Sequence, residues 1–572
     1  MSRHIHRTLA ICSLSALAAC GDGSESASQA TAARNDAFCG PALAAVEAHQ
    51  ATLTADANRT GPSERYGGSV VVGGGGELAG GMNGLVSADH SAAQHQSFVN
   101  LMTLVKLDSN LESQPYLAES WEVSEDATTL TFTLRDDVRW HDGQATDAED
   151  VVFSYERATN PETGFPNPAF WDNYAGIEQL DARTVRLTME PHADYLDPWR
   201  TFAILPEHLL GDVPATELGQ HPYGTQCPVG NGPFVFSEHR PQESWTFTAN
   251  PDFPTGLGGR PYVDRYVYRV VPEPTTLLTD LLTEQADVYV KMSPDQAERV
   301  EAEDGIELVS FQFRDVEFIV WNSRLPELSD ARVRRAMTLG TNRAEIVEAL
   351  LGGYGQVANT SVPPFHWAHD ASLDAANEYD PEAAAALLEE AGWIDRDGDG
   401  VREDADGLPL SVEMKYSDGN QRRQDVAEIM QAQLSQIGVE LTPTVVEYST
   451  FVEQMTQTRD FGAVSLTWVV EFKVDDTDLF SSERADGIYA FSGTNNADMD
   501  ALLGRLQTIV DRDESRPVWY EYQRVLNEEH PYTFLFYADR LVGVNERLQG
   551  VAMDVRGEWI NIKNWWIEPA SR

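Results

Sequence analysis

The sequence predicts an α/β protein that folds into two lobes. At 572 residues the chain is too long for one hydrophobic core, so we expect two or three domains. Patterns typical of strands and helices alternate along most of the chain, which favours parallel sheets with right-handed crossovers. The chain is predicted to leave the first lobe near 312–315 and to re-enter it near Pro531. Two crossings form a hinge, and a ligand closes a hinge by contacting both sides.

The composition is that of an acidic, soluble protein. Hydrophobic residues make up 42% of the chain and charged residues 23%, as in ordinary globular proteins. The formal net charge of −50 argues against a nucleic-acid partner, because phosphate contacts need clustered lysines and arginines. We interpret the excess of carboxylates as a solvated acidic surface rather than a cation-selecting site, since net charge bears on solubility before specificity.

The first residues are typical of an export signal. A basic start and a short apolar stretch over 9–17 predict a signal peptide over 1–19, because the stretch is too short to span a bilayer. The segment Leu17-Ala18-Ala19-Cys20 resembles a bacterial lipobox, which predicts lipidation of the Cys20 thiol. The alternative is a plain signal peptide with an incidental cysteine. A lipid-anchored tether is then expected over 20–65, with membrane contact through the lipid alone.

Two cysteines remain in the exported chain after Cys20, namely Cys39 and Cys227. In an oxidising compartment such a pair predicts a disulfide, which would tie the N-terminal tail to the folded body. Two free thiols are the alternative.

The segment 129–157 carries the clearest patterns for a strand, a turn and a helix start in the chain. Apolar residues alternate with threonines over 129–134, which predicts a strand with one buried face. The turn Asp142-Gly143 follows the strand. Thr146 and Glu149 then have the spacing of a capping box ahead of an apolar helix start.

Five separated motifs follow one another along the chain. They are 114–121, the segment 129–157 with its His141-Asp142-Gly143 turn, 228–234, 250–253 and 329–339. In this order they resemble the extracytoplasmic solute-binding proteins of ABC transporters, family 5, which includes dipeptide- and oligopeptide-binding proteins. The resemblance spans 67–566, most of the mature chain.

The resemblance implies a large bilobed periplasmic-binding-protein fold with an extra subdomain in the first lobe. The lobe I core is expected in the segments 66–92, 182–312 and 532–572, with the extra subdomain over 93–181 and lobe II over 313–531. The family also implies a monomeric, lipid-anchored protein of the periplasm or cell envelope. Such a protein captures a peptide, or a related small solute, and delivers it to an ABC permease in the membrane.

The candidate binding site lies at the end of a predicted strand, at Trp468, Val469 and Glu471. An indole offers a flat apolar wall, and a carboxylate three residues later can pair with the α-ammonium of a peptide. Peptide-binding relatives carry an aspartate there, so Glu471 keeps the charge on a longer arm. A solvated acidic loop is the alternative. Trp321 and Asn322 are further cleft candidates, although a place in the core explains Trp321 equally well.

An acidic loop has the spacing of a calcium-binding loop. Its candidate ligands are Asp395, Asp397, Asp399, the Val401 carbonyl, Glu403 and Asp406. Asp406 stands where such loops carry a bidentate glutamate, and its shorter side chain would weaken the site. A structural Ca²⁺ and a plain acidic turn are the two interpretations.

The chain carries no pattern typical of a catalytic site, and we expect no cofactor for chemistry. It has no G-x-S-x-G nucleophile turn and no H-E-x-x-H zinc motif. We therefore expect a binding protein rather than an enzyme. The alternatives are a secreted hydrolase and a ligand sensor or envelope chaperone on the same fold, and a permease encoded nearby would favour transport over sensing.

Overall fold

The computed structural model describes residues 22–87 and 89–572. Within these residues the strands are, in chain order, β1 (Ser69–Gly74), β2 (Val105–Leu107), β3 (Ser113–Pro115), β4 (Ala118–Val123), β5 (Thr129–Leu134), β6 (Tyr174–Asp181), β7 (Thr184–Met189), β8 (Phe234–Arg240), β9 (Ser244–Ala249), β10 (Arg265–Val270), β11 (Val288–Tyr289), β12 (Ile306–Trp321), β13 (Gly355–Val357), β14 (Ser411–Ser417), β15 (Glu440–Val446), β16 (Ala463–Val469), β17 (Tyr532–Asn545), β18 (Leu548–Gln549) and β19 (Trp566–Ile567).

Helices alternate with these strands, which confirms the predicted α/β class. They are α1 (Asp22–Gln50), α2 (His90–His95), α3 (Ala148–Thr159), α4 (Asp197–Thr201), α5 (Glu207–Leu210), α6 (Tyr223–Gln226), α7 (Pro274–Leu282), α8 (Pro294–Glu301), α9 (Ala331–Leu339), α10 (Arg343–Leu351), α11 (Pro381–Glu390), α12 (Gln421–Ser435), α13 (Tyr448–Glu453), α14 (Thr477–Phe480), α15 (Ala497–Leu506) and α16 (Arg512–Glu529).

The two long strands β12 and β17 cross between the lobes side by side. The N-terminal half of β12 pairs antiparallel with the C-terminal half of β17, and after a register shift between Gln312 and Val316 the other two halves pair. The first set of pairs lies in lobe I, where β11 continues the sheet from β17. The second set lies in lobe II, where β16 continues it from β12. In the structure, the first crossing therefore lies at this register shift.

The return crossing lies further along the chain than the sequence predicts. The sequence predicts that lobe I resumes at residue 532, but the first half of β17 pairs within lobe II, with β12 and β13. Tyr532, Phe534 and Tyr537 are buried in one lobe II core, and Leu535 is buried in the other. Because both faces of this half-strand are apolar, its sequence carries no sign of the lobe to which it belongs.

Lobe I is built on the sheet order β11, β1, β10, β9 and β8. Strand β1 runs parallel to β10 and β11, whereas β9 is antiparallel to both of its neighbours, β10 and β8. Val70 and Val72 of β1 are fully buried, in one core with Trp245, Phe247 and Tyr266. This core supports one wall of the space between the lobes.

The extra subdomain of lobe I carries its own antiparallel sheet, in the order β4, β5, β7 and β6. Its core includes Phe132, Trp140 and Trp199 and continues through Leu218. The sequence predicts a subdomain over 93–181, and that boundary cuts the hairpin between β6 and β7. Strand β7 pairs with both β5 and β6, so the subdomain extends beyond residue 181.

The sheets of both lobes are mixed, whereas the sequence predicts parallel sheets. In lobe II, β14 is parallel to β15 and β16, but β12 is antiparallel to β16 and β17. The physical reason lies in the two crossings. One strand leaves lobe I while its neighbour returns to it, so the two must run in opposite directions.

A long helix occupies much of the segment for which the sequence predicts a flexible tether. Helix α1 spans Asp22–Gln50, in a stretch rich in alanine, the strongest helix former. Ala42 and Val46 pack into the core of the extra subdomain. The Gln50 side chain donates to the His141 carbonyl at 3.2 Å, so the C-terminal end of α1 lies against the predicted motif.

Cys39 in α1 and Cys227 form a disulfide, with their Cα atoms 5.4 Å apart. The bond fastens α1 to the body of lobe I. The predicted signal peptide and the predicted lipidation site at Cys20 lie outside the described residues. Among the described helices, none combines the length and the apolar character that a membrane crossing needs.

Removing the disulfide should destabilise the protein. The double variant Cys39→Ala/Cys227→Ala should lose about 2–5 kcal/mol in the free energy of unfolding, because the bond restricts the unfolded chain. The two residues are 188 positions apart, so the closed loop is long. Denaturant unfolding of both proteins under oxidising conditions measures the difference. Reductant added to the double variant is the control and should change nothing, whereas equal stability of both proteins would contradict a structural role for the bond.

Candidate functional site

Three of the motifs meet at one buried carbonyl, that of Gly232. The His141 ring donates from Nε2 to this oxygen at 3.0 Å, and Asn250 Nδ2 donates to it at 3.0 Å. His141 Nδ1 accepts from the Gly230 amide at 3.2 Å, which requires a neutral ring with its proton on Nε2. A Cβ at Gly230 would lie 1.8 Å from the Asn100 carbonyl oxygen, so only glycine fits there. These motifs therefore build the frame of lobe I.

Helix α3 is capped one residue later than the sequence predicts. Thr146 is buried, and its hydroxyl accepts from Asn231 Nδ2 at 3.4 Å. Asp147 caps the helix instead, in a capping box with Asp150 rather than with Glu149. Burial raises the pKa of Asp150 to about 6.

A cavity of about 1000 Å³ lies between the two lobes. Lobe I and its extra subdomain supply an aromatic wall that includes Tyr116, Phe165, Phe170 and Phe202. Lobe II supplies Arg314, Val469, Glu471 and Phe472. A cavity of this size is at the upper end of the range for small-molecule sites, and aromatic walls with a few placed polar groups are typical of such sites.

Glu471 lies in the lobe II wall of the cavity, with 44% of its side chain exposed. One carboxylate oxygen accepts from Arg314 Nη1 at 3.0 Å. Arg314 is 8% exposed, and its guanidinium lies 4.7 Å above the centre of the Phe472 ring. A buried arginine thus orients the carboxylate, and the exposed part of that group can accept further hydrogen bonds.

The other two residues predicted at the end of β16 point to opposite faces of the strand. Val469 lines the cavity with Glu471, whereas Trp468 does not line it. The half-buried indole of Trp468 lies edge-on to Tyr489, with the ring centres 5.6 Å apart, beside a lobe II core. Trp468 therefore packs against lobe II instead of forming the predicted flat wall.

Trp321 and Asn322 do not reach the cavity, which corrects the prediction made for them. Trp321 is fully buried, and its indole donates to the Thr533 hydroxyl at 2.9 Å. Asn322 is 2% exposed and donates to the carbonyl of Phe461 at 2.9 Å. Both side chains fix the end of β12 in the lobe II core, because a strand that ends inside a lobe needs its polar groups satisfied there.

An ion pair joins the two lobes. Arg512, at the start of α16 in lobe II, donates to Asp194 of lobe I at 2.7 Å and lies 3.7 Å from Glu112. Burial alone would raise the pKa of Asp194, but the charges of Arg200 and Arg512 outweigh it and hold the pKa below its ordinary value. The carboxylate is therefore ionised and holds the lobes together.

The acidic loop brings part of the predicted calcium ligand set together. Carboxylate oxygens of Asp395, Asp397, Asp399 and Glu403 all lie within 4.8 Å of one another. Asp406 does not belong to this group, since its place is a turn in which its amide donates to Asp404. The Val401 amide donates to Asp399, which keeps the loop tightly turned.

Sequence reasoning missed most of the lobe I side of the cavity. The aromatic residues of that wall belong to none of the motifs and lie in separated segments. Lys106 and Lys563 also line the cavity and stand far apart in the sequence. The sequence feature that could have pointed to these two residues is the scarcity of lysine. Lysine occurs at five positions in the whole chain, and two of the five line this cavity.

Comparison with known families identifies the fold and the class of protein. The family model described as bacterial extracellular solute-binding proteins, family 5 Middle, matches residues 112–488. The chain belongs to this family. The resemblance carried by the motifs is thereby confirmed, and so is the expectation of a binding protein, since this is a family of solute-binding proteins and not of enzymes.

Individual members of the solute-binding family extend the match over most of the chain. Oligopeptide-binding protein AppA of Bacillus subtilis is 29% identical over 515 residues, which cover 89% of this chain and 94% of AppA. The structure of AppA in complex with a nonapeptide has a TM-score of 0.73 at 28% identity and covers 88% of this chain and 99% of that one. The dipeptide-binding protein of Escherichia coli is 25% identical over 466 residues, 78% of this chain and 84% of its own length.

The fold is also shared with a solved structure that holds a different solute. The structure of NikZ from Campylobacter jejuni, in complex with Ni(L-His), has a TM-score of 0.72 at 24% identity. It covers 88% of this chain and all of that one. The bilobed architecture predicted from the sequence is therefore confirmed.

The buried ring of His141 should make stability fall as the pH is lowered. Burial lowers the pKa of His141 to about 4 from the ordinary 6.5, so the unfolded chain takes up the proton first. The stabilisation is complete above pH 6.5 and is lost as the pH falls toward 4. In His141→Gln, the slope of the free energy of unfolding between these pH values should fall by up to about 1.4 kcal/mol per pH unit. Urea unfolding at a series of pH values measures this slope.

A control of opposite sign is available at His208. Burial opposes protonation of this ring, but its hydrogen bond to Asp142 prevails and raises the pKa of His208. The stabilisation from His208 is therefore present at low pH and lost as the pH rises above 6.5. His208→Gln should change the slope of the free energy of unfolding above pH 6.5 and leave the slope between pH 4 and 6.5 unchanged. An unchanged slope between pH 4 and 6.5 in His141→Gln would contradict the lowered pKa of His141.

Proposed function

We propose that the protein is the lipid-anchored solute-binding component of an ABC importer and that it captures peptides between its lobes. The observation that carries the proposal is the cavity of about 1000 Å³ whose lobe II wall presents the oriented carboxylate of Glu471. The aromatic residues on the opposite wall suit the apolar side chains of a peptide. The complex of AppA with a nonapeptide supports the same class of guest.

The α-ammonium of the peptide is assigned to Glu471. An ammonium is the guest group that an exposed carboxylate in a partly enclosed site binds most strongly. Arg314 orients the carboxylate but occupies only part of it, so a second cation can be accommodated. Closure is assigned to the contact between Arg512 and Asp194, which joins the two lobes at 2.7 Å.

Anchoring and delivery complete the proposal. The lipid is assigned to Cys20 and the protein to the periplasm or cell envelope, where it acts as a monomer and passes its guest to a membrane permease. A hydrolase is not proposed, because the family consists of solute-binding proteins. A sensor or chaperone would bind peptide equally well, so uptake of labelled peptide into vesicles that carry the neighbouring permease separates transport from these alternatives.

Substitution of Glu471 tests the assignment of the ammonium. Glu471→Gln should weaken binding of a free peptide by about 1.5–3 kcal/mol, because a charge-assisted hydrogen bond is lost. The probe is a peptide selected from a defined pool by native mass spectrometry, and calorimetry measures its affinity. Acetylation of its amino terminus should have the same effect on the wild type and no further effect on the variant.

A matched control excludes a general effect of charge. Glu178 lies on β6 with 60% of its side chain exposed, outside the cavity, so Glu178→Gln makes the same change at a distance. This control should bind as the wild type does. Equal affinity of Glu471→Gln and the wild type for the free peptide would remove Glu471 from the site.

We also propose that the acidic loop of lobe II binds one structural Ca²⁺. The support is the approach of four carboxylates to within 4.8 Å of one another on an exposed loop. Hard oxygen ligands of this kind suit Ca²⁺, and the set consists of Asp395, Asp397, Asp399 and Glu403 without Asp406.

Calcium should therefore raise the melting temperature of the protein by mass action. Millimolar CaCl₂ should stabilise the wild type more than MgCl₂ does, because Mg²⁺ demands a stricter geometry and retains its water. The variant Asp397→Asn/Asp399→Asn should lose the response. Identical melting curves with calcium and with a chelator would contradict the proposal.

A further inference from the structure

The wall of the cavity has the opposite charge to the protein as a whole. The chain carries a formal charge of −50. Among the described residues 35–87 and 89–572, the cavity is nevertheless lined by six lysines and arginines and by two carboxylates, those of Asp108 and Glu471. The six cations are Lys106, Arg135, Arg200, Arg314, Arg556 and Lys563. A cationic pocket in an acidic protein attracts an anionic guest that the surface would repel.

The four arginines in the wall are already neutralised by carboxylates. Each of them has a carboxylate oxygen within 3.0 Å, in the pairs Arg135–Asp137, Arg200–Asp197, Arg314–Glu471 and Arg556–Asp554. Lys106 and Lys563 have no carboxylate within 4.0 Å among the residues whose side chains the structure describes, 35–87 and 89–572. The uncompensated positive charge of the cavity therefore lies on these two ammonium groups, and the carboxylate of Asp108 offsets part of it.

The surroundings of the two lysines hold them at the cavity wall. Lys106 Nζ lies 5.2 Å from the centre of the Tyr116 ring. Lys563 Nζ donates to Asn564 Oδ1 at 3.1 Å and lies against Gly258, where a Cβ would collide with it. Burial lowers the pKa of both lysines, that of Lys563 to about 8, and the charge of Lys106 contributes to the shift at Lys563. Two like charges that repel each other in a partly enclosed site favour a bound anion.

We propose that Lys106 and Lys563 bind a carboxylate of the guest, so that the protein selects anionic peptides. This inference rests on the proposed peptide function and adds the chemical class of the peptide. The amino end of the guest lies at Glu471 on lobe II, and its carboxylate lies at the two lysines on lobe I. The carboxylate is that of an acidic side chain or of the carboxyl terminus. A guest with a cationic side chain at the lysines is excluded, because like charges repel in a site with little water.

The experiment compares peptides of equal length that differ only in an internal pair, Glu-Glu, Gln-Gln or Lys-Lys. Each is used as the free acid and as the carboxy-terminal amide, and calorimetry measures its affinity. The proposal expects the Glu-Glu peptide, the free acid, or both to bind about 10- to 100-fold more tightly than its neutral counterpart. It also expects the Lys-Lys peptide to bind most weakly. The two arms distinguish a side-chain carboxylate from a terminal one.

Variants show whether the two lysines are responsible. In Lys106→Gln/Lys563→Gln the preference for the carboxylate should fall to nearly onefold, and in Lys106→Arg/Lys563→Arg it should persist, since arginine keeps the charge. Arg186→Gln removes one positive charge from the exposed face of β7 and should keep the full preference. Melting curves of all variants show that they are folded.

The outcomes separate this inference from the function on which it rests. Peptides that bind the wild type with no dependence on charge, or a preference that survives in the double glutamine variant, would overturn the role of the lysines and leave the peptide function standing. If no peptide of any charge binds the wild type, the peptide function itself is overturned, and the inference falls with it.

Discussion

The pairing of β12 with β17 is the constraint on which the bilobed structure depends. Both strands belong to one continuous sheet that extends through both lobes, and the register shift between Gln312 and Val316 marks the place where they pass from one lobe to the other. Arg540 of β17 ties the two crossings together, 3.5 Å from Asp315 and with its guanidinium 3.9 Å from the centre of the Phe313 ring. Because the chain crosses twice, the lobes can rotate about this pair but cannot separate.

The hinge and the candidate binding site share a residue. Arg314 lies within the register shift of β12, and its side chain reaches Glu471 in the wall of the cavity. A guest that engages Glu471 therefore acts on a side chain that is rooted in the hinge. The charge of the cavity wall also differs in sign from the charge of the surface. The surface carries the acidic excess, whereas Lys106 and Lys563 make the cavity wall cationic. Net charge thus describes the solubility of this protein and says little about its guest.

The sequence could predict the frame of this protein better than its binding site, and the reason is physical. His141, Gly232 and Asn250 belong to recognisable motifs, and their buried groups meet in one hydrogen-bond node. A Cβ at Gly232 would lie 2.7 Å from the carbonyl carbon of Asn100, so the node also restricts which residue fits there. The residues that line the cavity lie in separated segments of the chain, so they form no local pattern in the sequence. Trp321 illustrates the difficulty, because the sequence around a tryptophan at the end of a strand is the same whether the side chain lies in a core or in a cleft. Its hydrogen-bond partner Thr533 is distant in the sequence.

The central claim is that two lobes hinged on β12 and β17 close on a peptide. Small-angle X-ray scattering of the protein, first freed of guest by unfolding and refolding and then saturated with a peptide that binds it, tests this claim most directly. The account predicts a smaller radius of gyration for the saturated protein. An unchanged radius of gyration at a peptide concentration where calorimetry shows full occupancy would contradict it.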